Sequence, residues 1–219
     1  YSDGNKNGGD GDGDGDGDNM EDRYYKAAGT EFTKPARKFH GFIKKHLLKG
    51  SLNGVINNRS IFDMSAGRGG DIHNWYERQI ETLYLMDIDK DGLGTSTDTK
   101  TQDTMYGRLQ NIKEQALSKR GKDKAIWVSN TAKFHIFQGN MSANLSDKPD
   151  LFNKQTGEPV QVDCIPNFFS IHYIFNLEQQ VDQFFQNIST HLKPNGIFIT
   201  TVFDGDKLFE RLKDNDFIK

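Results

Sequence analysis

The sequence predicts an α/β fold, a mostly parallel twisted sheet with helices on both faces. Three observations carry this. Short apolar runs (SIFDMS, TLYLM, KFHIFQ, IFITTV) recur along the chain. Segments of helical periodicity separate them, as crossovers between parallel strands require. The runs are rich in apolar residues, which fits strands covered on both faces. In such sheets ligands bind outside the carboxyl ends of the strands, so the residues that follow each strand hold the functional interest.

The elements follow in order. Phe39, Phe42, Ile43, His46 and Leu47 fall at helical spacing within Phe32–Leu48, with Pro35 in the first turn and Gly50 as the stop. Ser60–Ser65 is a first strand, and a Gly-rich turn leads from it into a helix over Ile72–Glu81. Thr82–Met86 is a second strand ending at Asp87, and a helix lies near Thr104–Lys119. Lys133–Gln138 is a third strand, and Val162–Ile171 a fourth that carries Phe168 and Phe169. Asn176–Leu192 is a helix with Val181, Phe184, Phe185 and Ile188 on one face. Pro194-Asn195-Gly196 is a turn, Ile197–Val202 a fifth strand, and a last helix begins at Asp206.

Composition shifts near residue 20. Residues 1–22 hold eight acids against one base, so −7 of a whole-chain −3, leaving residues 23–219 at +4. A mildly basic folded part suits a polyanionic ligand. Residues 1–19, nearly all Gly, Asp and Asn, read as a disordered tail, followed by one domain over 20–219. Asp10, Asp12, Asp14, Gly15, Asp16, Asp18 and Glu21 match a calcium-loop pattern, but an Asp-Gly repeat matches it by accident and no helix can precede it. Cys164 is the one cysteine, which excludes an internal disulfide framework and a cysteine-rich zinc site and fits a reducing compartment. The histidines are scattered, and no metal site is expected. No apolar run approaches the roughly 20 residues of a membrane helix, and the hydrophilic start carries no signal peptide. A first residue of Tyr instead of Met suggests a fragment of a longer polypeptide.

The turn Ser65-Ala66-Gly67-Arg68-Gly69-Gly70-Asp71 is the main chemical signal. Its small residues let a ligand approach the backbone. The dinucleotide fingerprint G-x-G-x-x-G fails here, because its third Gly falls on Ile72. A nucleoside cofactor with free ribose hydroxyls fits better, with Asp87 closing the second strand as the hydroxyl acceptor. A bland reading also stands, in which this is a tight strand-to-helix turn with Asp71 as a cap.

At this loop FDMSAGRGGDIHNWY resembles motif I of the mRNA cap (guanine-N7) methyltransferases, and KFHGFIKK, LMDID, RLQNIK, FFSIHYIF and TTVFDGDKL resemble further motifs of that family in the same order. The last is most similar to the large-DNA-virus branch. The resemblance covers about residues 32–219. It implies a Rossmann-like class I methyltransferase fold that uses S-adenosyl-L-methionine. Lys44, Ser65, Gly67, Asp71, Asp87, Asn140, Phe168 and Tyr173 would then line the cofactor site. Phe169 would stack on the cap guanine, His172 would contact it, and Arg68 and Arg108 would hold the cap phosphates. Asn140 and Phe168 stand where the family has Asp and Gln, and Phe168 would serve partly through its backbone. The implied partner is the capped 5' end of mRNA, with triphosphatase and guanylyltransferase domains on the same polypeptide and no membrane. The implied location is the nucleus for a cellular protein, or the viral factory or virion for a viral one. The family's last strands and distal cap contacts would lie beyond Lys219, so the domain reads as truncated. Guanine N7 carries its own lone pair and no proton at neutral pH, so no catalytic acid or base is nominated. Two alternatives remain open: a methyltransferase acting on another RNA or a small molecule, and an idle methyltransferase-like subunit that binds RNA or a partner.

Overall fold

The computed structural model describes residues 34–52, 60–115 and 132–213. The Gly/Asp tail and its calcium-loop pattern lie outside these. Tyr1–Lys44 and Lys45–Lys219 form two compact units. The first helix, α1 (Lys34–Leu52), has its first eleven residues in the first unit. It runs through Gly50 instead of stopping there. Gly50 does not take a left-handed φ, so it makes no C-terminal cap and the helix continues. Phe39 and Phe42 are both more than half exposed.

In the second unit, β1 (Ser60–Asp63), β2 (Thr82–Asp87), β3 (Lys133–Gln138), β4 (Val162–Asn167) and β5 (Leu192–Thr200) form one sheet. Its order is β3-β2-β1-β4-β5 and every pairing is parallel. The apolar strands each offer alternate residues to two cores. Ile61, Leu83, Leu85 and Cys164 face one way, with Leu48, Trp75, Met105 and Leu109 packed on them. Phe62, Tyr84, Met86 and Ile165 face the other way, covered by Phe184 and Ile188. Among the described residues the remaining α-helices are α2 (Ile72–Glu77), α3 (Lys90–Leu93), α4 (Met105–Gln115), α5 (Glu178–His191) and α6 (Gly205–Leu212).

Several boundaries differ from the sequence reading, each for a local reason. Helix α2 stops at Glu77 because Gln79 takes a left-handed φ of 53°. Gln79 N–H then donates to Tyr76 and Ile80 N–H to Trp75, a Schellman closure without glycine. Strand β4 stops at Asn167, so Phe168 and Phe169 lie beyond it, and Ile171–Ile174 is a 3-10 turn. Phe169 has φ 59°, which no extended strand accommodates. The Pro194-Asn195-Gly196 turn is an irregularity inside β5: Val162 pairs with Leu192 but Cys164 with Ile197, and Asn195 sits at φ 65°. On α5, Phe184 and Ile188 are buried while Phe185 is half exposed.

Candidate active site

The strand order reverses at β1, which has β2 on one side and β4 on the other. Connections therefore leave β1 and β4 in opposite directions, opening a crevice at their carboxyl ends. The residues that follow β1, β2 and β4 meet there.

After β1, the chain turns sharply through 64–71. Gly67 and Gly69 take φ values of 52° and 77°. A Cβ at Gly69 would come within 2.6 Å of Met105 Sδ and 2.7 Å of Ile72 Cδ1, so both space and backbone demand glycine. The turn is anchored to β2 at two points. Ala66 N–H donates to the Met86 carbonyl at 3.0 Å, and Gly67 N–H donates to Asp87 Oδ2 at 2.6 Å. The other oxygen of Asp87 accepts from Asp89 N–H at 2.9 Å. Burial raises the Asp87 carboxyl above the ordinary carboxylate range, outweighing these backbone donors, which pull it down. Each carboxylate oxygen has a second lone pair for a hydroxyl donor.

Asp71 stands at the N-terminus of α2 but makes no side-chain cap; its Oδ1 accepts from Asn74 Nδ2 at 3.0 Å. Asp71 is thus the N-cap residue by position, as the bland reading expects, while its side chain supplies no capping hydrogen bond. Asn140, two residues past β3, folds back so that Oδ1 accepts from both Ser142 N–H and Ser142 Oγ at 2.9 Å. Its amide nitrogen is the end left for a ligand.

At the end of β4, Asn167 is fully buried and its Nδ2 donates to Ser65 Oγ at 3.3 Å. Ser170 Oγ donates to the same Ser65 oxygen at 2.8 Å. The Gly-rich turn and the aromatic segment thus share one edge of the sheet. Phe168 is buried in the core, so its side chain lines no site and only its backbone can reach a ligand. Phe169 is half-buried, and its N–H donates to Thr201 Oγ1 at 2.7 Å. A bulky residue at positive φ costs on the order of 1–2 kcal/mol, and such strain gathers at functional sites. His172 and Tyr173 are exposed, with ring centroids 4.1 Å apart, and Phe203 lies 5.4 Å from His172.

Arg68 leaves the turn, and Arg108 projects from α4. Both reach Asp103: Arg68 Nη1 donates to its carbonyl at 3.2 Å, and Arg108 Nη2 to its Oδ1 at 2.8 Å. Of the residues expected from sequence, Gly67 and Asp87 are joined by a direct hydrogen bond, and Ser65 and Phe169 are linked through Asn167 and Thr201. Arg68 and Arg108 form a second group. Lys44 belongs to the first unit. Sequence reasoning missed Asn167, Ser170, Thr201 and Asp103. Asn167 left one trace, a polar residue at the carboxyl end of the strand VDCIPN.

A model of the mRNA (guanine-N(7))-methyltransferase domain family matches residues 32–218. The chain is 26% identical over 201 residues to a probable mRNA-capping enzyme of Acanthamoeba polyphaga mimivirus, covering 87% of this chain and 16% of that protein. It is 35% identical over 189 residues to an mRNA cap guanine-N(7) methyltransferase of Meyerozyma guilliermondii, covering 83% of this chain and 31% of that one. The chain therefore spans well under half the length of these relatives. Among solved structures it is similar to an S-adenosylmethionine-dependent methyltransferase from Clostridium acetobutylicum, with a TM-score of 0.51 and 15% identity, covering 87% of this chain and 61% of that one. That likeness gives the same Rossmann-like fold.

Proposed function

Because the chain belongs to the mRNA (guanine-N(7))-methyltransferase domain family, we propose that it methylates N7 of the guanosine that caps mRNA, with S-adenosyl-L-methionine as donor. One observation supports this most: Ser65 accepts from both Asn167 and Ser170, so the Gly-rich turn and the aromatic segment border one crevice. The residues fit the donor. The turn is shaped by two glycines at positive φ, and the half-buried Asp87 carboxylate at its side suits ribose hydroxyls, as it would repel a 2'-phosphate. The donor supplies a methyl group already on a sulfonium.

The chain's own residues then have to align and not to activate. Guanine N7 presents a lone pair, so no side chain need take a proton before methyl transfer. Alignment in a near-attack geometry supplies the acceleration. Phe169 offers a flat face for the guanine, and this face also suits the cationic 7-methylguanine product. His172 and Tyr173 extend that aromatic edge, His172 toward the base and Tyr173 beside the cofactor. Arg68 and Arg108 meet the phosphates, where planar guanidinium geometry allows paired hydrogen bonds. Asp71 and Ser65 line the turn, and the Phe168 backbone and the Asn140 amide flank the cofactor. The partner is the capped 5' end of mRNA, within a longer polypeptide that also carries the earlier capping activities. Such an enzyme works in the nucleus, or in the viral factory or virion.

Incubation with GpppA-capped RNA and methyl-labelled donor should yield 7-methylguanosine after nuclease digestion. A folded protein that binds donor and forms no such product would refute this reading.

A further inference from the structure

Arg68 and Arg108 come from different elements, yet a single residue joins them. Asp103 lies two residues before α4. Its Oδ1 accepts from Arg108 Nε at 3.3 Å and from Nη2 at 2.8 Å. Its backbone carbonyl accepts from Arg68 Nη1 at 3.2 Å, and its Oδ2 lies 3.8 Å from that same nitrogen. The carboxylate thus takes the Nε–Nη2 edge of Arg108 and leaves the third corner, Nη1, toward the Gly-rich turn. That corner sits 3.9 Å from the place a Cβ on the exposed Gly70 would occupy. The Arg68 stem passes beside Gly92, its Cγ 3.2 Å from where a Cβ on that glycine would stand.

Two long side chains each carry about 2 kcal/mol of rotamer entropy. Left independent, both would have to be ordered when an anion arrives. Held on one acid, they present a fixed pair of planar donors with a net charge of +1. The Asp103 side chain is 64% exposed, so water screens its repulsion of an incoming phosphate.

We propose that Asp103 is a positioning residue for cap binding, which pre-aligns Arg68 and Arg108 as one phosphate-receiving unit. This rests on the reading of those arginines as phosphate contacts. The carboxylate acts through Arg108, whereas the carbonyl that holds Arg68 survives any substitution of the side chain.

The test is steady-state methylation of GpppA-capped RNA, with donor affinity measured alongside. Asp103→Ala should raise KM for capped RNA about three- to fivefold, the upper range for an exposed charge pair, and leave kcat and donor Kd unchanged. Asp103→Asn keeps an oxygen for Arg108 and should fall between Ala and wild type. In an Arg108→Ala background, Asp103→Ala should add little, since only the 3.8 Å approach to Arg68 Nη1 remains. A lower KM would make Asp103 a competitor of the phosphates and overturn the proposal. So would an unchanged KM, an equal loss of donor affinity, or a full additional effect in the Arg108→Ala background. If Arg108→Ala alone leaves KM for capped RNA unchanged, the phosphate reading itself fails, whatever Asp103 does.

Discussion

Ser170 Oγ donates to Ser65 Oγ at 2.8 Å across 105 residues of sequence, binding the segment after β4 to the turn after β1. The buried Asn167 amide uses the same serine oxygen. Ser65→Ala should therefore cost about 1–3 kcal/mol, because a buried amide loses its oxygen acceptor and keeps only the Met141 sulfur at 3.4 Å. Urea unfolding should show a lower midpoint at constant slope. A change below about 0.5 kcal/mol, the level of an ordinary surface substitution, would mean the bridge contributes little.

Phe169 sets stability against function. Glycine accepts φ 59° without strain, so Phe169→Gly recovers on the order of 1–2 kcal/mol that offsets part of the lost packing. Fold stability should then stay within roughly 1–2 kcal/mol of wild type. Cap use should fall about tenfold or more, since stacking on an aromatic is worth about 1–3 kcal/mol per base. Donor Kd, from calorimetry, should barely move. Equal losses of cap use and donor affinity would contradict the stacking role.

Asp87 makes donor binding sensitive to acid. Burial holds its carboxyl above the usual range, and a ribose hydroxyl donates best to the ionised form. Donor affinity should be full where Asp87 is charged and weaken as pH falls through its raised pKa, beginning above the range of an ordinary aspartate. Asp87→Asn should lose on the order of tenfold in affinity at neutral pH and flatten that dependence. Titration calorimetry from pH 7.5 downward, in steps of about half a unit, resolves both effects. An Asn variant that retains the wild-type pH profile would assign the dependence elsewhere.

The parts of the fold set by local pattern were legible. Lys133–Gln138 forms the expected strand residue for residue, and Asp87 closes β2 as expected. Where the backbone takes a conformation its side chain disfavours, sequence rules pointed the wrong way. A rule that looks for glycine to end a helix passes over Gln79, and the strand preference of Phe extends β4 past its true end. The Gly-rich turn was visible because its residues are contiguous in the sequence. Asp103 was not, because one of its partners lies 35 residues upstream and nothing local marks an acid in a polar loop as a clamp.

Cys164 is the chain's single thiol, at zero exposure on β4 beside β1, and burial pushes its pKa up to about 12. A thiolate is scarce there even in alkaline buffer, and the sulfur is out of reach of reagents. The rate at which a maleimide or disulfide reagent modifies the protein therefore times the opening of the centre of the sheet. The same chain thus carries an intrinsic clock for its own breathing, readable by mass without any introduced label.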